Sequence, residues 1–138
     1  MKTMMKKSAF AALLFAAILS AASVAFASTF EECQAIISGL QAKTASVVLT
    51  GKSAETKDRP NLAEKLNNAS LELNRAKFCD AILKLNDYKA KVNQLVSAGR
   101  INQDPAVGVT AQELLSDADA AITCINQLAA QGGVTCTF

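Results

Sequence analysis

The sequence predicts an all-α fold: a small antiparallel four-helix bundle stabilised by disulfides. Three observations carry this expectation. Four segments space their apolar residues by threes and fours, and none shows the sustained alternation of a strand. Helix-starting and helix-ending residues bracket those segments. Four widely separated cysteines, Cys33, Cys79, Cys124 and Cys136, fall at one end of the bundle if the helices run up, down, up and down.

The first helix is expected to begin near Ser28-Thr29, with Glu31 and Glu32 in its first turn, and to end near Gly51. Its apolar stripe is Phe30, Cys33, Ile37, Leu40, Thr44 and Val47. Residues 51–59 are polar and read as a loop. Pro60, a favoured first helical residue, opens the second segment, striped by Leu62, Leu66, Ala69 and Leu73. The third segment is the most strongly patterned. Phe78, Ala81, Ile82, Leu85, Tyr88, Val92, Leu95 and Val96 line one face, and Lys84, Lys89, Lys91 and Gln94 are placed opposite. Gly99 stops it, and Asn102-Gln103-Asp104-Pro105 reads as a turn. Thr110 and Glu113 have the spacing of a capping box and open the fourth segment. Leu114, Leu115, Ala118, Ala121, Ile122, Ile125 and Leu128 form its stripe, Gly132-Gly133 ends it, and Val134–Phe138 is a short tail.

Residues 1–27 read as a signal peptide and residues 28–138 as a single helical domain. Lys2, Lys6 and Lys7 form a positive start, an apolar run extends from Ala9 to Leu19, and Ala25-Phe26-Ala27 offers a small-x-small cleavage site. Ser20 and Ser23 interrupt the run before it reaches the ~20 residues a bilayer needs, so no transmembrane segment is expected after cleavage. The Ala-rich run is of the bacterial kind, which predicts export to the periplasm or the extracellular space. No cysteine lies near the cleavage site, which argues against a lipid anchor.

Cleavage at Ala27 leaves 111 of the 138 residues and removes three of the 14 basic ones, so 11 basic residues face 12 acidic ones. The formal charge moves from +2 to −1, which does not favour a nucleic-acid partner. All 11 basic residues lie between Lys43 and Arg100, whereas the flanks carry six acids and no base. That asymmetry has two readings: complementarity between neighbouring helices, which is favoured, or a docking or self-association surface.

The cysteine separations are 46, 45 and 12 residues, with no close pair of the kind zinc sites use. An even number in an exported chain predicts two disulfides rather than a metal site. The preferred pairing is Cys79–Cys124 with Cys33–Cys136, because the third and fourth helices are consecutive. The rival is Cys33–Cys79 with Cys124–Cys136, allowed by a reversal at Gly132-Gly133.

The chain has no His, which excludes Ser-His-Asp and Cys-His catalysis and imidazole metal sites. Neither a phosphate-binding Gly-rich loop nor a hydrolase or metalloprotease motif occurs. No catalytic residue, cofactor or metal is therefore predicted. Asp117 and Asp119 are two apart and do not face each other, while Glu113 and Asp117 share a face; all three read as a solvated acidic surface. Asp80 and Asp87 are expected to make surface ion pairs with Lys84. Beyond the leader, Phe30, Phe78, Tyr88 and Phe138 are the only aromatic residues, too few for a stacking platform. Asn68-Ala69-Ser70 matches a glycosylation acceptor but falls on an expected helix. The connections 51–59 and 100–109 are the expected places for contacts.

Residues 62–128 resemble the FIMAH-type helical modules of bacterial exported proteins. The resemblance lies in Leu62-Ala63-Glu64-Lys65-Leu66, Ala69 and Leu73, then Phe78-Cys79-Asp80-Ala81-Ile82 and Leu85. Tyr88, Val92, Leu95, the Gly99-Arg100-Ile101 step, Leu114-Leu115, Ala118, Ala121-Ile122 and Ile125 continue it. Residues 102–109 enlarge the connection relative to that pattern. The resemblance implies a non-catalytic module of exported proteins. Together with the absent catalytic groups it predicts a small exported interaction or structural module, whose partner is an unknown protein or envelope component. A periplasmic carrier of small apolar ligands is the alternative.

Overall fold

Two of the helix starts, and the ends of all four helices, find partners for their terminal backbone groups. In the computed structural model, which describes residues 27–138, the helices are α1 (Phe30–Ser46), α2 (Arg59–Asn74), α3 (Phe78–Ser97) and α4 (Ala111–Gln131). The expected signal peptide lies, apart from Ala27, outside the described residues. Two helices start with capping boxes. At α1 the Thr29 hydroxyl accepts from the Glu32 N–H and the Glu32 carboxylate accepts from the Thr29 N–H; Thr110 and Glu113 repeat this at α4.

Helices α2, α3 and α4 end in the same Schellman arrangement, in which two N–H groups past the helix turn back to its last carbonyls. The residue that must adopt a left-handed conformation is Gly99 after α3 (φ 64°) and Gly133 after α4 (φ 75°). After α2 it is Ala76 (φ 57°), which carries the strain of a Cβ in that region. There the Ala76 N–H donates to the Leu73 carbonyl and the Lys77 N–H to the Glu72 carbonyl.

The helices close into a ring in which each packs on two neighbours: α1 on α2, α2 on α3, α3 on α4 and α4 on α1. Neighbours are antiparallel. Gln34 near the start of α1 bonds Asn74 at the end of α2, and Gln41 farther along bonds Asn67. The all-α bundle expected from the periodicity is the observed architecture. Among the described residues no strand occurs, only an isolated antiparallel bridge between Leu49 and Ile101.

The predicted stripes form the core. Cys33, Ile37, Leu40, Leu62, Leu66, Leu73, Leu85, Tyr88, Val92, Leu114 and Ile125 are inaccessible to solvent. Four details differ from expectation, the first being that α1 ends at Ser46 rather than near Gly51, with Val47 already extended. Phe30, one turn before Cys33, reaches solvent at the end of α1. Residues 54–58 are a π-helical turn, Ala54–Asp58, that runs directly into α2 rather than a loop. Lys84, Lys89 and Lys91 are not opposite the core face of α3 but flank it, half-buried.

One polar contact crosses the core diagonally. The Thr44 hydroxyl on α1 donates to the Leu40 carbonyl or shares a hydrogen bond of 2.7 Å with the Tyr88 hydroxyl on α3. Burial pushes the Tyr88 phenol up to about 12, with the Thr44 bond acting against that shift and the charge of Asp117 adding to it.

Candidate functional site

The two ends of the bundle differ in chemistry. One carries the two long connections and a buried ion cluster; the other gathers the cysteines. Between them, α1 and α4 leave an apolar groove.

At the loop end, Asp58 continues the α2 core stripe one turn before Leu62, and Ala54 continues it one turn further. Its carboxylate is therefore buried, and it is met by two cations. Arg100, two residues after α3, donates through Nη2 to Asp58 and to the Ser53 hydroxyl (2.6 Å), while Lys91 Nζ lies 3.2 Å from the other Asp58 oxygen. Arg100 Nε also reaches the Thr50 carbonyl at 3.3 Å. Gly51 makes room for this guanidinium: its φ is 103°, and a Cβ there would stand 2.9 Å from Arg100 Nε.

The neighbouring Arg59 faces the other way. It donates to the carbonyls of Thr44, Ala45 and Val47, which satisfies the open end of α1, and it pairs in two bonds with Glu55. The guanidinium holds the Glu55 carboxyl below the usual range. Residues 48–50 and 100–102 are joined by Thr50 N–H to Arg100 C=O and Asn102 N–H to Val48 C=O. Asn102 Nδ2 then donates to the carbonyls of Asp104 and Val109, which shapes the 102–109 connection. Of the charged groups in the expected contact loops, Arg100 and Asp58 hold the two connections together, whereas Lys52, Lys57 and Asp104 are exposed.

The acidic residues of α4 are also engaged. Asp117 pairs with Lys43 of α1 at 2.7 Å and Asp119 with Lys89 of α3 at 2.5 Å. Being two apart, the two aspartates diverge toward the two flanking helices. The hydrogen bond that Lys43 donates to Asp117, helped by the charges of Asp117 and Glu113, raises the Lys43 ammonium above its ordinary value, against the effect of burial. The charge asymmetry is, at these positions, complementarity between neighbouring helices. Asp80 and Asp87 make no ion pair with Lys84 among the described residues.

All four cysteines meet at the other end, but in neither anticipated pairing. The bonds are Cys33–Cys124 and Cys79–Cys136. The correction has an angular cause. Cys124 lies seven residues, two helical turns, after Asp117, so both occupy the side of α4 that faces α1. Asp117 meets Lys43 there and Cys124 meets Cys33, both within the α1–α4 seam. Cys136 is carried past the Gly133 turn to the start of α3, where Cys79 stands.

The groove between α1 and α4 runs beside the Cys33–Cys124 bond. Ala35, Ile36, Ala120, Thr123 and Cys124 line it, with Ser28, Glu32 and Gln127 at one end; it is a shallow groove, open to solvent, of about 570 Å³. Ser28 closes that end: its hydroxyl donates to Gln127 and its carbonyl accepts from Gln131 Nε2 at 3.0 Å. Sequence reasoning missed the groove because Ala35 and Ala120 are weak signals on otherwise solvent-facing positions. Neither a metal-binding cluster of His, Cys, Asp and Glu nor a helix long and apolar enough to cross a membrane occurs among the described residues.

Comparison with known protein families, with curated proteins and with solved structures yields no match to this chain.

Proposed function

We propose that the chain is a small exported, non-catalytic interaction module of the bacterial envelope or extracellular space. The observation that carries the reading is the division of labour on the surface. The charged constellations of Asp58, Lys43 and Lys89 tie elements of the bundle together, whereas the apolar α1–α4 groove is left open to solvent. Two disulfides fit folding in an oxidising compartment. The leader-like residues 1–27 and the FIMAH-like helical pattern point the same way.

The apolar lining of the groove favours one alternative, a carrier of small apolar ligands. Affinity capture from envelope and culture fluid, run with the unaltered chain and with Ala120→Arg, tests the proposal. Ala120 is exposed, so the variant keeps the fold while filling the groove with charge. A protein captured by the unaltered chain and lost with Ala120→Arg supports the interaction module. Equal capture by both contradicts it. Saturable one-site binding of an apolar fluorescent probe, abolished by Ala120→Arg without any captured protein, selects the carrier.

A further inference from the structure

The two disulfides are protected very unequally. Cys33 and Cys124 lie within the core, at 0% and 6% exposure. Cys79 and Cys136 are half-exposed at the surface end of the bundle. The tail that carries Cys136 has little else to hold it. After the Val134 N–H, which donates to the Ala129 carbonyl, no backbone hydrogen bond fixes residues 135–138 among the described residues. Val134 and Phe138 are exposed, so Cys136, which packs in part against the core, is the tail's main side-chain anchor.

Cys79 also sits where a thiolate is stabilised. It is the second residue of α3, and the N-cap residue Lys77 makes no side-chain cap, which leaves first-turn N–H groups of the helix unclaimed. The Lys77 ammonium is turned to the Glu72 carboxylate at 3.9 Å, and the Asp80 carboxylate in the first turn opposes the effect.

We propose that Cys79–Cys136 is a thiol-exchange site that a small monothiol opens while Cys33–Cys124 remains closed, releasing the tail from a bundle that stays folded. In the first step the external thiolate attacks Cys136 Sγ. The sulfur–sulfur bond to Cys79 breaks, its electron pair leaves on Cys79 Sγ, and a mixed disulfide forms at Cys136. A second monothiol then attacks the external sulfur of that mixed disulfide. Cys136 departs as a thiolate that takes up a proton, and the two monothiols leave joined as a disulfide. The chain is reduced by two electrons and the monothiol pair is oxidised by two.

The test uses the oxidised chain and graded reduced glutathione, with acid quenching, alkylation of free thiols and mass mapping of each cysteine. Cys79 and Cys136 should open at a glutathione concentration at least about tenfold below that needed for Cys33 and Cys124. Any glutathione adduct should be on Cys136, and the helical circular dichroism should be unchanged at that stage. Opening of both bonds over the same concentration range would overturn the proposal. So would prior opening of Cys33–Cys124, an adduct on Cys79, or loss of helix when Cys79–Cys136 opens.

Discussion

Single residues set the local strain and the local charge balance of this bundle. Ala76 occupies a left-handed position that Gly99 and Gly133 fill in the two equivalent turns. Relieving a Cβ penalty of about 1–2 kcal/mol, less the extra freedom glycine gives the unfolded chain, leaves a gain of roughly 0.5–1 kcal/mol for Ala76→Gly. Thermal unfolding should show a midpoint raised by a few degrees; a lowered midpoint would refute the strain. Asp58 is the opposite case, a buried carboxylate on which Arg100 and Lys91 both depend. Asp58→Asn should cost about 2–3 kcal/mol in denaturant unfolding, somewhat under the 3–5 of a fully buried pair, because both cations can still reach water. Asp119→Asn, at an exposed pair, should cost less than about 1 kcal/mol.

At the scale of elements, the helices were legible because each stripe repeats over several turns. Leu62, Leu66, Ala69 and Leu73 need no tertiary information to be assigned to one face. The start of α2 was harder to read. Pro60 is a strong helix-start signal and the residues before it are polar, yet Asp58 and Ala54 extend the stripe at four-residue steps into a π-helical turn. The disulfide pairing depended on which side of each helix a cysteine takes, and a two-turn relation such as Asp117 to Cys124 becomes informative only once Lys43 is known to face α4.

The contact between α1 and α3 also makes a prediction about pH. The Tyr88 phenol titrates at about 12 in the folded chain against 10.0 for a free tyrosine, so the folded state holds its proton longer. Its contribution is complete below pH 10 and is lost as pH rises from 10 to 12, by about 2–3 kcal/mol in all. Tyr88→Phe should remove that part of the alkaline loss, visible as a shallower decline of stability above pH 10 than in the unaltered chain. Parallel declines in the two proteins would show that Tyr88 does not carry it.

For the whole molecule, the fold joins a short chain into a closed ring of helices with the two covalent links at one end and the ion cluster at the other. Both disulfides anchor the C-terminal part: Cys124 ties α4 to the start of α1, and Cys136 ties the tail to the start of α3. They close long loops, 91 and 57 residues apart in sequence, and each should contribute on the order of 2–4 kcal/mol. This connectivity places α4 beside α1 and decides how the tail is held. Peptide mapping without reduction tests it most directly. Trypsin alone leaves residues 101–138 as one peptide, since no basic residue follows Arg100, so a second cut at Leu128 with chymotrypsin must separate Cys124 from Cys136. Peptides linked through Cys33–Cys124 and through Cys79–Cys136 are expected; recovery of Cys79 joined to Cys124, or of Cys124 joined to Cys136, would contradict this connectivity.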